Sequence, residues 1–101
     1  MEKITTTNHF KEILSDNTYV FVDFYADWCG PCRRITPEIE KLAGAYNTIR
    51  FVKVDIDKFA KLADKYKVEG LPTFILFKNG EEVGEVVGPY IDEIQKMLKN
   101  H

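Results

Sequence analysis

The segment Tyr19-Val20-Phe21-Val22-Asp23-Phe24-Tyr25-Ala26-Asp27-Trp28-Cys29-Gly30-Pro31-Cys32 decides how the rest of the chain is read. Its first seven residues are apolar or aromatic except for Asp23. Such a run suits a central strand covered on both faces. Past Cys29 the rhythm changes. Ile35, Ile39, Leu42 and Tyr46 recur at helical spacing, so a helix opens at the cysteines. Pro37 falls inside that pattern and is expected to kink the helix, because it removes a donor and crowds the preceding turn. The segment is therefore a strand, a sharp turn and a helix, with two cysteines where the helix begins.

Upstream, Ile4 and its neighbours suit a short first strand. Asn8 is positioned to cap a helix that places Phe10, Ile13 and Leu14 on one face. Downstream, Phe51-Val52-Lys53-Val54 reads as a strand. Asp57 is placed to cap a third helix with Phe59, Leu62 and Tyr66 on its buried stripe. Thr73-Phe74-Ile75-Leu76-Phe77 is a further strand. Asn79-Gly80 then signals a two-residue hairpin into a strand from Val83 to Val87. A last helix carries Ile91, Ile94 and Leu98. The order βαβαβαββα predicts an α/β fold, with a mostly parallel sheet between helices and an antiparallel hairpin at one side.

The chemistry sits at the turn. Peptide N–H groups of the first helical turn point at Cys29, and the helix dipole favours negative charge there. Both effects lower a thiol pKa. Cys32 lies one turn on and shares a face with Cys29. Pro31 suits the first turn, where its missing N–H costs little, and Gly30 leaves room for a partner. The pair is thus arranged for thiol–disulfide exchange, with exposed Cys29 as nucleophile and Cys32, less accessible, as resolving thiol. A zinc site would need four ligands. The chain offers no other cysteine, and His9 and His101 lie near opposite ends and read as surface residues. Idle buried thiols would not account for a strand–turn–helix junction flanked by Trp28.

The remaining features set limits. The 101 residues suit one domain, 1–101. The composition, 45% apolar and 30% charged, is that of a folded globular chain. A formal charge of −2 directs it to neither nucleic acid nor an anionic membrane. No stretch approaches membrane-spanning length, and the first residues lack the features of a signal peptide, so a cytoplasmic location is expected. In that reducing setting a lone cysteine pair is not a structural staple.

Two polar residues interrupt apolar strands. Asp23, if desolvated, would carry a raised pKa and exchange a proton near neutrality; a hydrogen-bonded core acid with no catalytic part fits the residues equally well. Lys53 either opposes that desolvation or simply covers apolar surface with its stem.

Over essentially its whole length the chain resembles the thioredoxin family. The resemblance rests on Val22 to Cys32, Pro37, Lys53-Val54-Asp55, Leu71-Pro72-Thr73-Phe74, Phe77-Lys78-Asn79-Gly80 and Gly88, in that order and spacing. It implies the thioredoxin fold, a five-stranded mixed sheet of order 1-3-2-4-5 flanked by four helices. It implies general reduction of protein disulfides through a reversible Cys29–Cys32 disulfide. Asp23 would transfer a proton for Cys32, and Lys53 would tune Asp23. Leu71–Pro72 would be cis and face the cysteines, although backbone chemistry alone favours trans. Trp28, Gly30, Pro31, Leu71, Pro72, Val87 and Gly88 would form a flat docking surface. No bound cofactor or metal is implied. Electrons would come from NADPH through thioredoxin reductase, and the targets would be proteins such as peroxiredoxins and ribonucleotide reductase. The working form would be a monomer. Pro31 points to the reducing members of the superfamily, since oxidising and isomerising relatives usually carry His there. Pro89 after Gly88 and the basic pair Arg33-Arg34 depart from the common pattern. Two other roles compete: a thioredoxin-fold clamp whose redox chemistry is incidental, and a reductase devoted to one client.

Overall fold

A computed structural model describes residues 1–101. The elements run β1 (Glu2–Lys3), α1 (Thr7–Asp16), β2 (Tyr19–Tyr25), α2 (Gly30–Ala45), β3 (Arg50–Asp55), α3 (Ala60–Lys65), β4 (Thr73–Lys78), β5 (Glu81–Val87) and α4 (Ile91–Lys99). The strands form one sheet in the order β1-β3-β2-β4-β5. The apolar run Tyr19–Tyr25 is its central strand.

Strand periodicity divides the core in two. Val20, Val22 and Phe24 of β2 join Phe10 and Ile13 of α1 and Leu62 of α3 in one cluster. Phe21 faces the other way, into a cluster with Ile35, Ile39 and Leu42 of α2 and Ile94 and Leu98 of α4. β3 follows the same alternation: Val52 and Val54 lie in the first cluster and Phe51 in the second. By this parity Asp23 and Lys53, directly paired in the parallel β2–β3 register, share the face covered by α2.

Four sequence expectations need correction. The mostly parallel sheet read from the order of elements is in fact evenly mixed, in the order that the family resemblance implied: β1–β3 and β2–β3 are parallel, whereas β2–β4 and β4–β5 are antiparallel. α3 has only six residues and advances the chain about 9 Å, less than half the length of the six-residue β3. The 17-residue connection from Ile56 to Pro72 brings the chain back into the sheet at the end where β3 left it. The cap of α1 is Thr6, whose hydroxyl accepts the His9 N–H at 2.9 Å; Asn8 lies inside the first turn. The N-cap of α3 is Phe59, with no side-chain cap, because Asp57 lies in the preceding turn. His9 is half-buried rather than at the surface: its Nδ1 accepts the Thr5 N–H at 3.1 Å and its Nε2 faces Glu2 at 3.2 Å. His101 is exposed as expected.

The hairpin is as the sequence predicts. Asn79 and Gly80 both take positive φ, 52° and 81°, the conformation that a tight two-residue turn between twisted strands requires. α2 passes unbroken through Pro37.

Candidate active site

The site lies where β2 ends and α2 begins. Cys29 is the N-cap of α2, with extended backbone (φ −83°, ψ 106°), and Pro31 occupies the first turn. Cys29 and Cys32 are joined in a disulfide, with Cα atoms 5.3 Å apart. The Cys32 N–H donates to the Cys29 sulfur at 3.2 Å. A cap sulfur thus takes the place of the oxygen that usually receives a free N–H of the first turn. The turn is closed on both sides: the Cys29 N–H donates to the Ala26 carbonyl at 3.1 Å, and the Arg33 guanidinium donates to the Asp27 carbonyl.

The expected difference in accessibility between the cysteines is absent from the bridged form. Cys29 is 5% exposed and Cys32 4%, both buried with Tyr25 and Ala26, with Leu71 packed against them. What separates them is the side on which they are approached. Cys32, but not Cys29, lines a cleft of about 90 Å³ beneath α2, together with Asp23, Tyr25, Arg33, Thr36 and Lys53.

Asp23 is 2% exposed, and its Oδ1 has no hydrogen-bond partner. Burial pushes its carboxyl from the ordinary 3.8 up to about 7; the Lys53 charge pulls it down, and the Glu40 carboxylate adds to the rise. Lys53 stands beside Asp23 in the register without forming an ion pair with it. Its ammonium lies 4.2 Å from the centroid of the Tyr25 ring. The Tyr25 phenol is itself pushed up, first by burial and then by the carboxylates of Asp55, Asp27 and Asp23.

The rim is apolar. Trp28 is 67% exposed, and its indole N–H donates to the Asp57 carboxylate at 3.0 Å. Leu71–Pro72 is cis, and Pro72 is buried directly before β4. The Gly88 N–H donates to the Pro72 carbonyl at 2.7 Å, which ties the end of β5 to this turn. Val87 is 49% exposed. Gly88 adopts φ +106°, a conformation that excludes most side chains.

The fold therefore brings Cys29, Cys32, Asp23, Lys53 and Leu71 to one place. Trp28, Pro72, Val87 and Gly88 reach it through the two turns. Sequence reasoning missed Asp57 as the partner of Trp28, and Thr36 and Tyr25 as cleft walls. Period-two parity from Phe21 would have found Tyr25. No three His, Cys, Asp or Glu side chains converge as a metal site, and no helix is long and apolar enough to cross a membrane.

A family model described as Thioredoxin matches residues 1–100. Thioredoxin-2 of Pyricularia oryzae is 43% identical over the whole chain, which spans 60% of that protein's length. The solved structure of Plasmodium falciparum thioredoxin superposes with a TM-score of 0.96 at 34% identity, covering 100% of this chain and 99% of that one. A chain from a structural study of yeast mitochondrial 1-Cys peroxiredoxin and its glutathione/thioredoxin systems gives a TM-score of 0.94 at 35% identity, covering 100% and 95%.

Proposed function

The chain belongs to the thioredoxin family and is a dithiol–disulfide oxidoreductase acting through Cys29 and Cys32, and on that premise we propose that it is a general reductase of protein disulfides. The observation that carries this is the cysteine pair at the start of α2, with Cys32 opening onto the cleft that holds Asp23.

The geometry supports the following steps. In the reduced form the Cys29 thiolate is favoured by the helix N-terminus and by the Cys32 N–H. It attacks one sulfur of a target disulfide; that S–S bond breaks, a mixed disulfide forms, and one target thiolate leaves. Cys32 then loses its proton to the Asp23 carboxylate and attacks the Cys29 sulfur. The second target thiolate leaves, and the Cys29–Cys32 bond closes. Two electrons have passed to the target. The cleft can hold a few waters, at about 30 Å³ each, which supports proton transfer through water. An acid with a pKa of about 7 is matched to that task at neutral pH. Lys53 keeps it from rising further.

Docking uses Trp28, Gly30, Pro31, Leu71, Pro72, Val87 and Gly88. The Pro72 carbonyl is already occupied by Gly88, whereas none of the turn and loop hydrogen bonds involves Leu71. The Leu71 peptide groups are therefore the ones offered to an extended target. Thioredoxin reductase, with electrons from NADPH, returns the disulfide to the dithiol. Peroxiredoxins and ribonucleotide reductase are suitable targets. The protein works as a monomer, one domain over 1–101, in a reducing compartment, the cytosol by default.

The test is reduction of a model protein disulfide, driven by dithiothreitol or by NADPH with thioredoxin reductase. Wild type should turn over, and Cys32→Ser should accumulate a mixed disulfide through Cys29. Trapping by Cys29→Ser instead would reverse the two roles, and an inactive wild type would end the proposal.

A further inference from the structure

Tyr90 is at odds with its position. It is the N-cap of α4, where short polar side chains are preferred because they bond a free N–H of the first turn. Tyrosine forms no such bond, and α4 has no side-chain cap. The side chain also forgoes burial: Tyr90 is 57% exposed, one of four large apolar residues left exposed. Two of the others, Trp28 and Val87, belong to the rim of the site.

The ring is nevertheless held in place. A Cβ at Gly88 would lie 2.5 Å from Tyr90 Cε2 and 3.0 Å from Cδ2, so the ring lies directly on the bare face of this glycine. Gly88 is bonded to Pro72, and Leu71 packs on the cysteines. One short chain of contacts thus leads from the disulfide to the Tyr90 ring. A residue that leaves its helix uncapped and its ring in water, yet is seated against the docking turn, breaks local rules where function would require it.

We propose that Tyr90 is a specificity-determining residue, seating an apolar side chain next to the attacked cysteine of a protein target. The inference rests on the reductase function proposed above. The chemistry of the occupant follows from the surroundings. Val87 and Tyr90 supply exposed apolar surface continuous with the rim, and the charges that line the cleft beside Val87, Glu85 and Glu93 with Lys96, partly offset one another, so apolar contact decides the occupant. A rigid exposed aromatic is the side-chain type that dominates docking energetics.

Three substrates separate the possibilities: a disulfide-bonded peptide with Leu beside the attacked cysteine, the same peptide with Ser there, and the disulfide of mercaptoethanol. Wild type should reduce the Leu peptide faster than the Ser peptide. In Tyr90→Ser the ratio of Leu-peptide rate to small-disulfide rate should fall about tenfold, while Tyr90→Phe keeps the preference. Serine caps α4, so the thermal midpoint of Tyr90→Ser should rise, which separates lost docking from lost folding. A Leu-over-Ser preference that survives Tyr90→Ser would overturn the proposal, as would an equal slowing on all three substrates. A wild type inert toward all three would instead remove the reductase reading itself.

Discussion

Val22 and Asp23 are neighbours in the central strand, and both are almost wholly buried. They face opposite sides of the sheet with opposite consequences. Val22 joins an unbroken apolar layer beneath α1 and α3. Asp23 lies under α2 with an unpartnered oxygen, Lys53 beside it and a cleft leading to Cys32. One side of the sheet supplies stability, while part of the other gives some up by burying a carboxyl whose pKa is raised to about 7. A single strand serves both because its side chains alternate.

A pair of substitutions should separate the two sides of the sheet most widely. Cys29→Ser should lower the rate of disulfide reduction by more than about a thousandfold, since the attacking sulfur is gone, while the reduced variant unfolds at nearly the denaturant concentration of reduced wild type. Phe24→Ala, on the apolar side, should cost about 3–5 kcal/mol of stability yet leave the rate per folded molecule close to wild type. Parallel urea titrations and turnover assays would check both. If Phe24→Ala slowed the chemistry of the folded fraction as Cys29→Ser does, the division between the two sides would be wrong.

The Asp23 side should also leave its mark on stability. A carboxyl with a folded pKa of about 7 and an ordinary value of 3.8 keeps, in the folded state, a proton that the unfolded chain has already released between those values. Stability therefore falls as pH rises through that window, and the penalty is complete above about pH 7. Its size is on the order of 4 kcal/mol. Asp23→Asn should flatten this slope and gain on wild type at pH 8 but not near pH 3.5. Unfolding midpoints across pH test this, and a wild type equally stable at pH 4 and pH 8 would refute it. In activity, Asp23→Asn should slow the second, resolving step and remove the inflection near pH 7.

Much of this division was legible in the sequence. The run from Tyr19 to Tyr25 announced a strand covered on both sides, and the placement of Cys29 at a helix start needed no structure. Asp23 stood out as one acid among apolar residues. The antiparallel entry of β4 was legible only through the family resemblance, because periodicity gives the elements but not the direction in which a 17-residue connection returns the chain to the sheet. The pairing of Trp28 with Asp57 was missed because it joins residues 29 positions apart through a turn that the pattern assigned to a helix cap. Near-equal burial of the two cysteines was also hidden, since exposure depends on Leu71 arriving from another part of the chain.

A smaller effect sharpens the electrostatics. Lys53 lowers the pKa of Asp23, so Lys53→Gln should move the activity inflection upward from about pH 7. Its ammonium rests on the Tyr25 ring rather than on the carboxylate, so the displacement should be a small part of the whole excursion. A downward displacement, or none, in the pH profile of turnover would show that Lys53 does not act on Asp23.

The smallest effect belongs to the apolar side and separates two assignments of one helix start. Thr6 has extended backbone, φ −146° and ψ 164°, and its hydroxyl accepts the His9 N–H at 2.9 Å. Asn8 has the right side chain for a cap but already lies within the helix, where it has no free N–H to serve in that way. Thr6→Ala should therefore cost about 1 kcal/mol, and Asn8→Ala should stay within about 0.5 kcal/mol of wild type. Neither should alter turnover, because α1 lies across the sheet from the cysteines. The reverse order of costs in chemical unfolding would return the cap to Asn8. It would mean that α1 starts two residues later than the backbone of Thr6 indicates.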